Sequence, residues 1–409
     1  MEFFRLKTRQ EVLELYPRFA AVGVEELELG EAVGRVAARD LAAPEEVPAF
    51  HRASMDGFAV RASDTFGATP GLPQYLEIRG EVPMGKAPAG EVGPGEAWRL
   101  ATGGMLPKGA DAVVMVEYTN EMPDGTLEVR RPVAPGENIL HPGEDVQAGE
   151  ILFSAGKSLR SQDLGLLAAL GVTRVEVHRR PRVAVLSSGD EIVPLTQKPV
   201  RGRVRDANAF LVAAQVRESG GLPRLGGIVP DDYSVLKAAL AESLEEADLL
   251  LISGGSSVGA RDLTLKAMQD LPQSEILVHG VAIRPGKPTI LADIGGKPLL
   301  GLPGHPASAA VVMQVLGRPL LRRLAGWTEN PSPWGGTVQA SLSRNLAGAS
   351  GREDFVRVRL RPDHDRLWAD PVLGPSGLLS PLVKSDGLVV IPLGVEGLFR
   401  EEPVTVQLF

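Results

Sequence analysis

The chain has 409 residues, of which 44% are hydrophobic and 23% charged, and it contains no cysteine. At roughly 150 residues per domain, this length predicts two to four globular domains. The lack of cysteine excludes disulfides, thiolate nucleophiles and cysteine-ligated metal clusters, and it is compatible with a reducing cytosol. The formal net charge of −8 disfavours nonspecific binding to nucleic acid or acidic membranes, so an anionic substrate needs a local basic pocket.

The segment 9–24 predicts an amphipathic helix, because its apolar residues recur every three to four positions. These residues are Val12, Leu15, Phe19 and Val22. Charged residues interrupt the N-terminal region, and no stretch reaches about 18 consecutive apolar residues. We therefore expect no signal peptide and no membrane span. The expected location is the cytoplasm.

A β-rich domain is predicted to be inserted at 49–145, where short apolar segments alternate with Gly/Pro turns. A helical pattern returns from Asp163 to Leu170. The segments that flank the insert, 1–48 with 146–180, are therefore predicted to form one discontinuous N-terminal domain.

An α/β domain is predicted at 181–327. The strand-like segments VAVLSS, PRLGGIVP, DLLLISGG and PLLGLPG alternate there with helical stretches at 208–218, 234–245, 262–269 and 306–323. This order predicts a parallel sheet with right-handed crossovers in a three-layer domain. The last segment, 328–409, again has short strands and predicts a C-terminal β domain, either a small barrel or a sandwich.

Acidic, small and Gly-rich residues follow the four predicted strands of the α/β domain. Ligands bind outside the carboxyl ends of the strands in such a sheet, so these residues are candidates for a site. They are Glu191, Asp231, the loop that begins Gly254-Gly255-Ser256 and leads to Asp262, and the turn from Pro303 to Pro306.

The loop at Gly254, Gly255 and Ser256 lets backbone N–H groups approach a phosphate closely. It lacks the Gly-Lys-Ser/Thr of a Walker loop and the spacing of a dinucleotide fingerprint, so a plain turn and a phosphate cradle both remain open. Glu191 and Asp262 are suited to bind Mg²⁺ through oxygen. Helix capping is the alternative for Asp262 and also for Asp231.

Basic residues cluster in GRVRD and IRPGKP, at Arg201, Arg203, Arg205, Arg284 and Lys287. They are suited to attract an anionic substrate, although a solvated basic face fits GRVRD equally well. The six histidines show no ligand-like pair, which disfavours a zinc site. No Gly-x-Ser-x-Gly elbow is present, which disfavours a serine hydrolase.

Motifs along nearly the whole chain resemble the molybdopterin molybdenumtransferases, which include the bacterial MoeA proteins and the E domain of gephyrin. The matching segments are SMDGFAV, ATGGMLPKGADAVV, GENILHPGEDVQAGE, VAVLSSGDEIV, GRVRDANAF, GGIVPDD, LLISGGSSVGARD, IRPGKPTI, GLPGHPASA, GREDFVRV and PSGLLSPLVKSDGLVVIP. The resemblance implies insertion of molybdate into adenylylated molybdopterin with release of AMP and formation of the molybdenum cofactor, in a Mg²⁺-dependent reaction.

The same resemblance implies an elongated homodimer of four-domain subunits, with the active site between the α/β domain of one subunit and the β insert of the other. The partners that it implies are the molybdopterin adenylyltransferase and downstream cofactor-handling proteins. Neither nucleic acid nor a membrane is expected as a partner. Two other functions are compatible with part of this resemblance: that of an enzyme which shares only the α/β domain, and that of a scaffold. The β insert and the C-terminal domain argue against the adenylyltransferases and a nicotinamide-nucleotide-processing family, whereas a scaffolding role like that of gephyrin stays open.

The resemblance also assigns residues. It implies metal and pyrophosphate roles for Glu191 and Asp262, and functional roles for Asp56, Thr102 and Asp145 of the insert; Asp231 is placed with these catalytic candidates. The substrate-binding candidates are Gly254, Gly255, Ser256, Arg284, Lys287, Pro303, Pro306, Ser308, Arg352 and Ser376.

Three positions depart from the family pattern. His305 stands where Asn is usual, Arg284 where Lys is common, and Leu140 where many members have Arg. The first two keep polarity or charge, so the turn and the anion site are expected to survive. Leu140 removes one expected cation.

Overall fold

The computed structural model describes residues 6–254, 258–328 and 336–409, without the side chains of 258–262. By its internal contacts the chain divides into two compact units. The first, here called the α/β unit, comprises Met1–Arg39, Ala155–Arg160 and Arg174–Phe409; the second, the β-rich unit, comprises Asp40–Ser154 and Ser161–Thr173.

The described chain begins with helix α1 (Arg9–Leu13) and strand β1 (Val24–Glu28). The helix predicted over 9–24 is thus much shorter than expected. Pro17 explains the early end, because it lacks the N–H that would bond to the carbonyl of Leu13, and its ring disfavours a helical conformation at the preceding residue. A 3-10 turn follows at Tyr16–Arg18.

The β-rich unit contains a sheet whose strands have the order β7-β4-β6-β5-β9-β8. The elements between residues 40 and 173 are β2 (Leu41–Ala42), β3 (Arg52–Ala53), β4 (Gly57–Val60), β5 (Gln74–Val82), β6 (Glu96–Leu100), β7 (Ala112–Met115), β8 (Thr119–Glu121), β9 (Thr126–Val129), β10 (Ile139–Leu140), β11 (Ile151–Phe153) and α2 (Ser161–Ala169). Phe58, Leu76 and Leu127 are buried in the core of this sheet. The prediction of a β-rich insert is confirmed.

The α/β unit continues through residues 174–328 with alternating strands and helices. Its elements are β12 (Arg174–His178), β13 (Arg182–Ser188), β14 (Ile192–Val193), β15 (Val204–Arg205), α3 (Asn208–Glu218), β16 (Leu222–Val229), α4 (Tyr233–Glu246), β17 (Leu249–Gly254), α5 (Val258–Gln269), β18 (Ser274–His279), β19 (Ile283–Arg284), β20 (Ile290–Ile294), β21 (Lys297–Leu302), α6 (Pro306–Val312) and α7 (Arg318–Leu324). A π-helical segment, Met313–Gly317, joins α6 to α7.

The main sheet has the order β16-β13-β17-β21-β20-β18, and its first four strands are parallel. The parallel pairing predicted for these four strands is confirmed. The sheet has two further strands that the sequence did not predict, β20 and β18, and they are antiparallel to their neighbours. The reason is a two-residue turn at Gly295 and Gly296, with φ of 58° and 89°, between β20 and β21. Positive φ at both positions is typical of a tight hairpin, which forces antiparallel pairing.

Helices cover both faces of this sheet. On one face, Val212 of α3 and Leu320 of α7 belong to one buried cluster. On the other face, Leu236 of α4 and Met268 of α5 belong to a second cluster. The three-layer α/β architecture predicted from the sequence is therefore confirmed.

The C-terminal segment forms a closed barrel. Its elements are β22 (Thr337–Leu342), β23 (Leu346–Ala347), β24 (Glu353–Asp363), β25 (Arg366–Pro371), α8 (Ser380–Val383), β26 (Gly387–Ile391), β27 (Gly397–Leu398) and β28 (Pro403–Leu408). Five of the described strands close in the order β24-β25-β22-β28-β26-β24. The barrel alternative is thus confirmed over the sandwich. No helix within the described ranges has the length and hydropathy that a membrane span requires.

Candidate functional site

A cleft lies at the carboxyl ends of the parallel strands. It consists of two neighbouring cavities of about 380 Å³ and 400 Å³, both lined by Gly254, Gly304 and His305. This is the edge at which ligands bind in open α/β sheets. We call the first the cationic cavity and the second the acidic-rim cavity.

The cationic cavity gathers most of the predicted substrate-binding residues. Those that line it are Gly254, Arg284, Lys287, Pro303, Ser308, Arg352 and Ser376. They come from the ends of strands, from the first turn of α6 and from the C-terminal segment. Two arginines and a lysine around one cavity create a local positive potential in a chain of net charge −8.

Asp354 holds two of these cations, and the sequence reasoning missed it. Its carboxylate is only 1% exposed, forms an ion pair with Arg284 and lies 3.8 Å from Nε of Arg352. Burial raises the pKa of Asp354, and the two arginines and the amide of Ala349 oppose that rise. The Nε atom of Arg352 is buried and has no hydrogen-bond partner among the described residues.

His305 and Ser376 form one hydrogen-bonded edge of the cleft. Nδ1 of His305 lies 2.8 Å from Oγ of Ser376, and the amide of Ala307 donates to the Ser376 carbonyl oxygen over 3.0 Å. Histidine therefore supplies a polar contact at the position where the family pattern has asparagine. Pro306 begins α6 and lines the acidic-rim cavity.

Gly254 ends β17 in a conformation that requires glycine. Its φ is 135°, and a Cβ at this position would lie 2.0 Å from the carbonyl oxygen of Ser188. The missing Cβ therefore lets β17 approach β13 closely at this point, where Gly254 also lines both cavities of the cleft. Gly255 and Ser256 lie outside the described residues.

Two acidic candidates of the α/β unit, Glu191 and Asp231, have described side chains and occupy different positions. Glu191 lines the acidic-rim cavity with Ser187, Ser188 and Ser253. Asp231 accepts a hydrogen bond from Oγ of Ser188 over 2.8 Å. These contacts place one carboxylate in the cavity and a second carboxylate behind its serine wall.

The capping alternatives are both wrong. Asp232 caps α4 by accepting from the amide of Val235, which leaves Asp231 outside the cap. Helix α5 begins at Val258, so Asp262 lies inside it and is no N-cap; its side chain is outside the described atoms. The described part of the chain contains no group of three or more acidic or histidine side chains arranged for a metal.

The basic segment GRVRD contributes only partly to the site. Arg205 lines the acidic-rim cavity and donates from Nε to the carbonyl oxygen of Leu195 over 3.0 Å. Arg201 and Arg203 line neither cavity of the cleft. The solvated-face interpretation therefore fits these two residues.

In the β-rich unit, Asp56 and Thr102 are brought together. Oδ1 of Asp56 accepts from the amide of Thr102 at 2.6 Å and from its hydroxyl at 2.8 Å. These two hydrogen bonds lower the pKa of Asp56, the backbone bond having the larger effect. Asp145 is exposed, and Leu140 lies in β10.

Two histidines of this unit contact each other. The Nδ1 atoms of His51 and His141 lie 3.2 Å apart with their rings nearly perpendicular. These residues are 90 positions apart in sequence, which is why spacing alone did not reveal them.

The α/β domain with a cationic cleft, the β-rich insert and the barrel together define a multidomain class of anion-binding α/β proteins. Family models match in the same order: "MoeA N-terminal region (domain I and II)" over residues 6–171, "Probable molybdopterin binding domain" over 184–323 and "MoeA C-terminal region (domain IV)" over 339–409.

Full-length relatives agree with these matches. The chain is 32% identical over 383 residues to the molybdopterin molybdenumtransferase of Bacillus subtilis, covering 93% of this chain and 88% of that one. It is 36% identical over 375 residues to molybdopterin molybdenumtransferase 2 of Mycobacterium tuberculosis, covering 89% and 90%. The crystal structure of a molybdopterin biosynthesis MoeA protein from Pyrococcus horikoshii superposes with a TM-score of 0.86 at 32% identity, covering 99% and 100%. The chain belongs to the MoeA family of molybdopterin molybdenumtransferases.

Proposed function

We propose that this chain inserts molybdate into adenylylated molybdopterin and releases AMP. The observation that carries the proposal is the convergence of Arg284, Lys287 and Arg352 on one cavity at the carboxyl ends of the sheet. Both reactants are anions. Cationic side chains in a partly enclosed cleft bind anions more strongly than the same side chains do in open water. The particular reaction is inferred from the membership of the chain in the family of molybdopterin molybdenumtransferases.

The residues of the cationic cavity are assigned to the binding of molybdate and the phosphates. Lys287 and Arg352 provide donors for the oxyanion, and Ser308, 5% exposed in the first turn of α6, provides a hydroxyl. Gly254 leaves its backbone accessible to the pyrophosphate. Positioning and electrostatic stabilisation, without a covalent intermediate on the protein, are the roles assigned to this set.

We also propose a magnesium ion, held by Glu191 and Asp262. The donor set fits: the Glu191 carboxylate shares its cavity with the hydroxyl groups of Ser187, Ser188 and Ser253, and Mg²⁺ in proteins prefers oxygen ligands, commonly one or two carboxylates plus substrate phosphates. When bound, the ion neutralises charge on the pyrophosphate. Asp231, bonded to Ser188, is assigned to positioning this wall.

The functional protein is proposed to be a homodimer with the active site between subunits. Asp56, Thr102 and Asp145 are then contributed by the partner subunit's β-rich unit. The Asp56–Thr102 hydrogen bonds support the assignment, because they keep that carboxylate ionised and fixed. We propose as further partners the molybdopterin adenylyltransferase that supplies the substrate and the proteins that receive the cofactor.

The decisive measurement is AMP release by the purified chain from adenylylated molybdopterin and Mg²⁺, with and without molybdate. Molybdate-dependent release is expected. Pterin binding without release under either condition refutes the enzymatic proposal and favours a carrier or scaffold.

Asp262→Asn tests the carboxylate role. AMP release is expected to fall by at least about 100-fold, because a metal-binding carboxylate is lost while the helix is kept. Asp270→Asn is the matched control, since Asp270 directly follows the same helix and is bonded to the Tyr233 hydroxyl. Equal turnover of the two variants contradicts the role, and removal of Mg²⁺ by EDTA should reproduce the loss in the unaltered chain.

A further inference from the structure

A second cavity, of about 370 Å³, lies at the amino ends of the parallel strands, beside the residues that precede β13. It shares no lining residue with the cleft at the carboxyl ends. Six arginines line it: Arg35, Arg179, Arg180, Arg217, Arg318 and Arg322. We call it the arginine cavity; all of its lining residues belong to the α/β unit.

The positive charge of the arginine cavity is only partly neutralised. Arg35 pairs with Glu25, and Arg179 makes two 2.6 Å contacts with Asp248. Of the four remaining arginines, three (Arg180, Arg217 and Arg318) have no carboxylate at ion-pair distance within the described residues. The one acidic lining residue is Glu218.

Two of the cations are desolvated beside each other on α7. Arg318 and Arg322 are one helical turn apart, so their side chains project from the same face. Burial lowers the pKa of both guanidinium groups, and for Arg322 burial followed by repulsion from Arg318 lowers it to about 10. The buried Nε of Arg318 has no hydrogen-bond partner among the described residues. A bound anion relieves the repulsion between the two guanidinium groups.

The walls of the arginine cavity are fixed in advance. The guanidinium of Arg322 stacks 5.0 Å from the ring centre of Trp327. Nδ1 of His178 donates to the Val22 carbonyl oxygen over 3.0 Å, and a Cβ on Gly326 would lie 2.1 Å from the His178 ring. Such close packing reduces the entropy that binding must offset.

We propose that the arginine cavity is a second anion site, which binds a phosphate dianion, either free or as the phosphate group of a nucleoside monophosphate. Guanidinium groups match the geometry of phosphate oxygens through paired N–H donors. The volume exceeds that of one phosphate and lies within the range of small-ligand sites, so a phosphorylated small molecule fits as well. The proposal is independent of the reaction at the cleft.

The test is calorimetric titration of the full chain with inorganic phosphate and, separately, with AMP. Both titrations are made in a Lys287→Gln background, which weakens phosphate binding at the cleft. One phosphate site is expected to remain in the Lys287→Gln chain. Its affinity should fall at least about tenfold when Arg318→Met is added to that chain, and should be unchanged when Arg224→Gln is added instead. Arg224 is a suitable control because it is an exposed arginine of the same unit, paired with Glu246 and outside the cavity. Tighter binding of AMP identifies a nucleotide site, and equal affinities identify a site for the phosphate group alone.

Thermal unfolding separates binding from folding. Without ligand, Arg318→Met is expected to unfold at the same temperature as the parent or higher, because the methionine keeps the packing and removes a desolvated charge. In the Lys287→Gln background, phosphate should raise the unfolding temperature more when Arg318 is present than when Arg318→Met is added. Arg217→Gln, at an exposed position, repeats the test if Arg318→Met does not fold. No phosphate binding in the Lys287→Gln background, or unchanged binding in both cavity variants, overturns the proposal.

Discussion

At the scale of single residues, the cationic cavity depends on a carboxylate that does not itself line it. Asp354 is almost fully buried and pairs with Arg284 while lying close to Arg352. Burying a carboxylate is unfavourable unless cations and hydrogen bonds compensate for it. Here the compensation also places two guanidinium groups at the cavity, so Asp354 is a positioning residue.

Asp354→Asn is expected to lower kcat/KM for molybdate by about tenfold or more, because the amide cannot hold two guanidinium groups through charge. The effect should appear mainly as a higher KM for molybdate. Steady-state kinetics of AMP release measure it. Asp363→Asn, on the same strand but in an exposed ion pair with Arg361, should leave the kinetics unchanged. Equal effects of the two substitutions contradict the positioning role.

At the scale of elements, strands β13 and β17 contact each other at both ends, at the cleft through their backbones and at the opposite edge of the sheet through an ion pair. Gly254 passes so close to Ser188 at the upper end that no side chain fits. Asp248, just before β17, binds Arg179 and the amide of Arg182 at the lower end. The same two strands are thus held at one end by backbone contact and at the other by charge.

Gly254→Ala is expected to destabilise the α/β unit by more than about 3 kcal/mol, because a Cβ would overlap the Ser188 carbonyl. Gly227→Ala is the matched control: Gly227, in β16, also has positive φ but has open space around its Cβ position. It should cost only the conformational strain, about 1–2 kcal/mol. Urea unfolding compares the two, and similar losses would show that overlap at Gly254 is unimportant.

Asp248→Asn should change stability in a pH-dependent way. Burial alone raises the pKa of Asp248, but hydrogen bonds from Arg179 and Arg182 outweigh it, so the pKa is lowered in the folded chain. A carboxyl with a lowered folded pKa stabilises the fold above its unfolded pKa and loses that contribution as pH falls through the folded value.

The variant is therefore expected to be less stable by about 1–3 kcal/mol at pH 7, with the difference shrinking below about pH 4. Urea midpoints for the transition of the α/β unit, taken from pH 7 down to pH 3, give the comparison. A deficit that stays constant across this range would show that the ion pair is not its source.

At the scale of the whole molecule, the cationic cleft and the Asp56–Thr102 pair belong to different compact units. The proposed homodimer brings them together in one site across subunits. A dimer with twofold symmetry has two such sites, and each subunit contributes residues to both sites.

Mixed dimers test this arrangement. Asp56→Asn and Lys287→Gln subunits, carrying different affinity tags, are coexpressed, and dimers containing one of each are purified. If the site lies between subunits, one site of each mixed dimer is intact, and about half of the wild-type AMP release is expected. Each variant alone serves as control. Activity of the mixed dimer no higher than that of the pure variants indicates that each site is built within one chain.

The sequence by itself determined the elements whose signal is local. The α/β alternation, the helix at 208–218 and the β-rich insert follow from apolar periodicity and Gly/Pro turns, and the structure confirms them. The motifs also led to the family. The family motifs assign Lys287, Ser308, Arg352 and Ser376 to substrate binding, and these four residues line one cavity.

Only the tertiary structure decided what depends on distant parts of the chain. Asp354 lies in the segment GREDFVRV, but the motif assigns it no role, and its importance appears only when strand β24 lies beside β19, which brings Arg284 to it. The arginine cavity likewise combines arginines from separate segments between Arg35 and Arg322, which only the packing of the α/β unit brings together. The physical reason is that burial and charge proximity are set by packing between elements, whereas periodicity and turn chemistry act between near neighbours.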